Sequence, residues 1–363
     1  MAKQIGRIQR FLNEKGIDAL MIRSAAMKRW MDTMTGSGCT VLVTRKRGYL
    51  IADGRYTTEA AEKEHDLEIV KIVQRDPYLN AVKRIMEQDG CASLGVESSE
   101  TLASLYLAMK DMGFRVMLLE DEIAGLRIIK DDDELELIQK AADLGDRIYA
   151  SVLGKLHAGM TEFEISALLQ YEAISSGAQG MAFETIVSSG ERTALPHGRP
   201  TARRIRAHEP IMMDFGVRLN RYESDMTRVC FLGEPDPAIR NIYHVVQQAQ
   251  QAGVDAIRAG ATGMSVDRAA RDIISDAGYG QYFVHGLGHG IGVDDSTEGP
   301  ILNARSTTVL QNHMVMSCEP GIYVPGVGGI RIEDMVQIVD GVGIPMTHTD
   351  KNIRVLEGAS YGI

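Results

Sequence analysis

Asp214 and Asp225 stand in IMMDFGVRLNRYESDMTR, and Glu319 and Glu333 stand in VMSCEPGIYVPGVGGIRIED. Between these strings lies HGLGHGIG, with His285 and His289. Each carboxylate pair is separated by a short segment that reads as a β-hairpin, so each pair can converge. Hard carboxylate oxygens and one imidazole can hold two divalent ions side by side. Such a pair ionises water and polarises an amide carbonyl at neutral pH. A carboxylate-rich set with one imidazole suits Mn²⁺, Co²⁺ or Fe²⁺, and Zn²⁺ is possible. An ordinary Asp or Glu is a solvated surface charge. Here Asp214 follows IMM, Glu319 follows VMSC and Glu333 lies in GGIRIED, apolar extended segments in which an uncompensated charge is expensive.

Positioning these groups requires the elements around them. The first 125 residues or so alternate helix and strand. Residues 3–15, 78–89 and 100–112 read as helices, and IDALMI, CTVLVT, YLIADG, ASLGVE and RVMLLE read as strands. That alternation predicts an α/β layer domain. The charge run KDDDELE at 130–136 reads as a solvated helix start and marks a domain boundary. Leu137, Ala141, Leu144, Ile148 and Val152 follow at helical spacing. The second part reads as duplicated. AGMTEFEISALLQYEAISSGA in one half corresponds to TGMSVDRAARDIISDAGYG in the other. Thr161 or Ser265 can cap the helix that follows, Thr161 with Glu164 in a capping box, and each helix ends near a glycine, Gly177 or Gly278. An extended segment, AFETIVSS or QYFVHG, comes next, and each half ends in its carboxylate hairpin. Equivalent halves facing each other across a cleft would bring both hairpins to one centre.

The 363-residue chain carries a formal charge of −10, which argues against nucleic acid as a partner. Cys39, Cys91, Cys230 and Cys318 show no CxxC spacing and read as thiols of a reduced cytoplasmic protein. MAKQIGRIQRFLNEKG lacks a signal-peptide core, and no apolar run approaches the ~18 residues that span a bilayer. HGLGHGIG lacks GxGxxG spacing and a strand–turn–helix setting, so its glycines read as places where backbone passes close to the metals, not as a phosphate cradle.

DFGVRLNRYESDMTR, HGLGHGIG, EPGIY and GGIRIED resemble the pita-bread metallopeptidases: methionine aminopeptidases, proline-specific aminopeptidases and prolidases. TGSGCTVLVT, LIADGRYTTEA and LRIIKDDDELELIQKA extend the resemblance to the two-domain, proline-specific branch. The resemblance implies a creatinase-like α/β domain over residues 1–125 and a pseudo-symmetric catalytic domain over 126–363. It implies that Asp214 holds one metal, that Asp225 and Glu333 bridge, and that His289 and Glu319 complete the other site, with Glu319 also accepting a proton from the bridging water. His197, in ALPHGRPT, matches a substrate-contacting histidine, and His285 one beside the substrate proline. Tyr323 and Arg331 fall on positions near the site. Arg331 either contacts substrate or orients Glu333 through an ion pair. The implied substrate is a short peptide with proline second, cleaved by a homodimer whose N-terminal domains lie near the partner's active site. There Trp30, after Lys28-Arg29, either packs or touches substrate across the subunit boundary.

One segment departs from the family pattern. A second histidine is expected seven residues after His289, where this chain has Ser296 in GVDDSTEGP. Either the histidine was lost in an ordinary proline-specific aminopeptidase, or Asp295, Ser296 or Glu298 does other work. In the latter case the enzyme is a hydrolase or lyase of a small nitrogenous metabolite, as in creatinase-like relatives. A catalytically silent binding protein is the third reading.

Overall fold

Short apolar runs rich in β-branched residues, such as CTVLVT, have little to do but become buried strands. In the first unit, Met1–Arg127, they build a six-stranded mixed sheet. Its order is Glu68–Ile72, Gly48–Asp53, Cys39–Thr44, Ala19–Ile22, Ser93–Glu97 and Arg115–Leu119. The central Ala19–Ile22 strand runs antiparallel to Cys39–Thr44, with Ala19 opposite Thr44, and parallel to Ser93–Glu97. Met21, Leu42, Ile51 and Val96 pack with Val82 and Ile85 from the helix Tyr78–Asp89. The strand Glu68–Ile72 was not expected from sequence. It is an edge strand with one neighbour and no fully buried residue, so it lacks an apolar signature. Trp30 is buried, with the Arg7 guanidinium 5.2 Å from its ring centre, so it packs within its own unit.

The computed structural model describes residues 2–63, 66–73, 78–293 and 298–356. In the second unit, Ile128–Ile363, the acidic run becomes a capping box. The Asp131 side chain accepts from Glu134 N at 3.1 Å, and Asp131 N donates to the Glu134 carboxylate at 2.8 Å. The helix Asp132–Leu153 buries Leu135 and Ile138 ahead of Ala141, Leu144, Ile148 and Val152. Leu137 is only half-buried, which corrects the expected stripe. The duplicated helices are Glu162–Ser175 and Gly263–Asp276, capped by Thr161 and Thr262. Ser265 is therefore not the cap but the third helical residue, answering Thr262 in a second capping box. Gly177 (φ +93°) and Gly278 (φ +84°) follow the two helices in the left-handed conformation that ends a helix cheaply only at glycine.

Strands Pro210–Phe215 and Met226–Leu232 pair antiparallel, with Asp214 opposite Thr227. Their faces alternate between two cores. Ile211, Met213, Phe215, Met226 and Cys230 pack in the first half with Ile148, Ile165 and Leu169. Met212, Val229 and Phe231 pack in the second half with Ile242, Val246 and Val266. The period of two therefore turns Asp214 and Thr227 toward the second half. In that half, Val315–Cys318 pairs with Asp334–Val339, Cys318 opposite Asp334. Met316, Cys318, Ile330 and Ile332 belong to the second core. Ser317, Glu319, Arg331 and Glu333 alternate with them and face back toward the first half.

QYFVHG, expected to be extended like AFETIVSS, instead makes a 3₁₀ turn at Gly280–Tyr282. The following HGLGHGIG runs outside any named strand, held by isolated bridges from Gly288 to Leu302 and from Gly290 to Met316. It needs glycine. A Cβ on Gly288 would lie 2.1 Å from the Ser317 carbonyl oxygen, and one on Gly290 1.9 Å from that of Gly299. Among the described residues no helix is long and apolar enough to cross a membrane. The same crowding occurs beside the first hairpin, where a Cβ on Gly216 would lie 1.8 Å from the Ser224 carbonyl oxygen. Gly216→Ala should cost about 1–3 kcal/mol in urea denaturation. Gly154→Ala, at an exposed helix end where the nearest atom to a Cβ is the Ser151 carbonyl oxygen at an ordinary 3.7 Å, should cost nothing measurable. Equal effects would remove the close approach as the cause.

Candidate active site

The two inward faces meet at a cavity of about 470 Å³ lined by Asp214, Asp225, His289, Glu319 and Glu333, together with His197, His285 and Arg331. Asp225, His289 and Glu333 each offer a donor atom within 4.8 Å of the others. His289 Nε2 lies 3.4 Å from Asp225 Oδ2 and 3.6 Å from Glu319 Oε1. Its Nδ1 sits 3.0 Å from the Gly290 carbonyl, which can only accept, so Nδ1 carries hydrogen and Nε2 faces the acids. Asp214 Oδ1 and Glu333 Oε1 are buried with no hydrogen-bond partner among the described residues.

Backbone and side chains hold these groups in place from behind. Thr227 Oγ1 donates to Glu333 at 2.7 Å and accepts from Arg331 Nε at 3.0 Å. Arg331 Nη2 meets Asp214 at 2.5 Å, and its Nη1 reaches the Tyr323 hydroxyl at 2.8 Å and the Pro196 carbonyl at 3.1 Å. Arg331 thus pairs with Asp214, not with Glu333 as one sequence reading had it. Tyr323 OH lies 2.8 Å from His285 Nε2, while His285 Nδ1 donates to the Gly286 carbonyl at 2.7 Å. Both ring nitrogens of His285 are engaged, and the ring stands edge-on to Phe283. Ser317 Oγ accepts from His289 N at 3.0 Å and donates to Glu319 at 3.1 Å. One residue beyond Glu333, the buried Asp334 pairs with Arg228 at 2.6 Å and Lys351 at 2.6 Å, and Arg228 also donates to the Glu333 carbonyl.

Burial sets the electrostatics. It pushes the Asp214 carboxyl up to about 7, with Arg331 pulling down against Asp225 and Glu319. Burial also raises Asp225 against the pull of His289, and it raises Glu333 well above the usual range with help from Asp225 and Glu319. For His289 burial works toward the neutral ring, but the hydrogen bond to Asp225 and the charges of Glu319 and Asp225 outweigh it, lifting it to about 10. Burial lowers His285, in keeping with a neutral ring that accepts from Tyr323. Asp334 shows the contrast: burial would raise it, but Arg228 and Lys351 hold it below the usual value. Acids that are buried, crowded and left with unpartnered oxygens suit hard divalent cations, so the donor set fits the expected metals.

Each histidine loop is tied to a buried acid on a capped helix. Glu162 accepts from Ser189 N at 2.9 Å, Thr201 N at 3.0 Å and Arg192, closing the loop that carries His197. Asp267 accepts from Leu287 N at 3.1 Å and pairs with Arg271, which donates to the His285 carbonyl at 2.7 Å. Glu298 is buried against Lys130 at 3.0 Å and does not line the cavity. Asp295 and Ser296 lie outside the described residues.

A profile of metallopeptidase family M24 matches residues 136–340. The chain belongs to that family. A profile of the creatinase/prolidase N-terminal domain matches residues 4–129. The chain is 32% identical over 362 residues to a Pyrococcus furiosus protein named Xaa-Pro dipeptidase, covering 97% of this chain and 100% of that one. A solved Xaa-Pro dipeptidase from Bacillus anthracis superposes with TM-score 0.92 at 34% identity, over 98% of this chain and all of that one. An X-Pro aminopeptidase from Thermotoga maritima superposes with TM-score 0.88 at 33% identity, over 96% of this chain and 100% of that one. The α/β architecture and the pita-bread catalytic unit are those of the family, whose members are metal-dependent hydrolases.

The Arg331–Asp214 pair is buried on both sides, and removing one partner strands the other charge. Arg331→Met should therefore destabilise the chelator-treated protein by about 3–5 kcal/mol in denaturant titration. A loss below ~1 kcal/mol would mean that Asp214 relaxes without its partner.

Proposed function

We propose that this chain hydrolyses the bond between an N-terminal residue and a following proline in short peptides. The observation that carries the reading is the convergence of Asp214, Asp225, Glu319, Glu333 and His289 on one cavity, with unpartnered carboxylate oxygens, in a chain aligned end to end with an Xaa-Pro dipeptidase. We assign those five as ligands of two divalent ions, with Asp225 and Glu333 bridging. The carboxylate-rich set favours Mn²⁺, with Co²⁺, Fe²⁺ or Zn²⁺ as alternatives. Bound there, the ions would supply an activated water and polarise the scissile carbonyl. Glu319 takes the proton from the attacking water and returns it to the leaving nitrogen. Ser317, bonded to Glu319 and to His289 N, fixes the direction of that carboxylate. His197 contacts the substrate from the anchored loop, and His285 lines the proline pocket with its ring fixed by Tyr323 and Arg331. Free cysteines agree with a reduced cytoplasmic setting, and a homodimer is the expected assembly.

Asp225→Ala should lose both ions, because a bridge serves both. Metal analysis of the purified variant reads this directly, and full metal content with full activity would sink the ligand assignment. Loading has a proton balance too. His289, raised to about 10, holds a proton at neutral pH until a cation takes its lone pair. Adding Mn²⁺ to chelator-stripped protein should acidify a weakly buffered solution, and affinity should fall as pH drops. Proton-neutral binding would contradict the paired imidazolium. The enzyme itself is tested with Xaa-Pro dipeptides and tripeptides and with small amides, each with Mn²⁺, Co²⁺ and Zn²⁺. Ser296→His should raise Xaa-Pro cleavage or leave it unchanged. A wild-type protein that binds two ions yet cleaves no Xaa-Pro peptide would favour a hydrolase of small nitrogenous metabolites.

A further inference from the structure

Relatives of this chain include both a dipeptidase and an aminopeptidase, and these differ in the group they accept after the proline. A dipeptide ends there in a carboxylate, whereas a longer peptide continues as a neutral amide. Discrimination needs a cation that faces the cavity and has donors to give. Among the described residues, the lysine and arginine side chains lining the cavity are Arg199 and Arg331. Arg331 is buried and its fork is engaged by Thr227, Tyr323, Pro196 and Asp214. Arg199 is different. Its side chain is 69% exposed, and Nη1 meets Glu184, itself 59% exposed and also lining the cavity.

We infer that Arg199 reads the free carboxylate of the substrate's proline, which makes the chain a dipeptidase. The inference rests on the proposed Xaa-Pro hydrolysis and names its substrate class. The base of Arg199 is fixed: its carbonyl accepts from Arg192 Nη2 at 2.9 Å, and Arg192 pairs with Glu162, which also holds Thr201 at 2.7 Å. Arg199 therefore stands two residues from His197 on an anchored loop, with a guanidinium free to turn. Its pair with Glu184 is solvent-exposed, and such pairs are worth little. A substrate carboxylate, placed by the site and accepting two N–H bonds from the fork, displaces Glu184 at small cost. Glu184 keeps Arg199 at the cavity until then. Phe183, Ile186 and Ile301 supply apolar wall beside it, suited to a proline ring.

The test uses Mn²⁺-loaded full-length enzyme with Ala-Pro and Ala-Pro-amide. Wild type should prefer Ala-Pro. Arg199→Ala should raise KM for Ala-Pro about tenfold to a hundredfold, leave kcat near its original value and leave the amide unaffected. Arg199→Lys should recover part of the loss. An equal fall on both substrates, or no change on either, overturns the inference. So does a wild type that cleaves the amide as well as the acid. An exposed arginine should not affect folding, and an unchanged melting temperature checks that. If wild type cleaves neither compound, hydrolysis of Xaa-Pro is what fails. Arg199 is then judged by calorimetry with free proline and prolinamide: weaker proline binding in Arg199→Ala alone supports a carboxylate site, and equal binding refutes it.

Discussion

Crowding of buried carboxylates is the constraint on which the rest of the catalytic unit depends. Asp214, Asp225, Glu319 and Glu333 face one cavity, and the cations pressed against them are Arg331 and His289. Two positive charges cannot balance four negative ones where Asp214, Asp225 and Glu333 are buried, and several kcal/mol per buried ion is at stake. Either protons or divalent cations must make up the difference. The raised Asp214, Asp225, Glu333 and His289 are the proton solution. Divalent cations are the solution that would do chemistry, because they would displace the same protons and take the same oxygens as ligands.

Such a site holds its geometry only if the supports are stiffer than the repulsion. Thr227 meets both Arg331 and Glu333, so one hydroxyl couples the first hairpin to the second. Arg228, the next residue, points the other way to the Asp334–Lys351 pair and the Glu333 carbonyl. Adjacent residues on one strand thus clamp adjacent residues on another, on opposite faces of the sheet. Partners behind the ligands set their orientation as firmly as the chain does.

Asp214, Glu319 and Glu333 were legible because each is a charge in an apolar extended run, and alternation then fixes the face it occupies. Arg331 and Glu333 alternate with buried Ile330 and Ile332, and Asp214 alternates with Met213 and Phe215. The supports were not legible. Thr227 and Glu333 are 106 residues apart, and a threonine in a strand has an ordinary reason to be there. Arg228 within MTRVCFL carried the same signal as the acids, a charge in a buried strand, and pointed to an unseen partner. Glu162 resembled any acid in the first turn of a helix, where the dipole alone accounts for it. Ser265 could not be told from Thr262 as a cap by composition, since both side chains accept from backbone, and only the helix start decides. QYFVHG had the apolar content of a strand but flanking glycines that let the backbone pass too close to its neighbours for a regular ladder.

The halves share a plan and diverge in what their histidine loops deliver. Both start from a capped helix whose buried acid, Glu162 or Asp267, ties down a loop through an arginine, Arg192 or Arg271. In the second half that loop brings two histidines, and its glycines press the backbone against Ser317 and Gly299. Such close approach fixes the backbone on either side of His289. In the first half the loop passes from His197 to a solvent-exposed Arg199. It is anchored at its base, where Arg192 holds the Arg199 carbonyl, and its guanidinium stays exposed at the tip. Duplication therefore accounts for the four-carboxylate centre, and unequal loops account for its use, one rigid enough for metal and the other free enough for peptide.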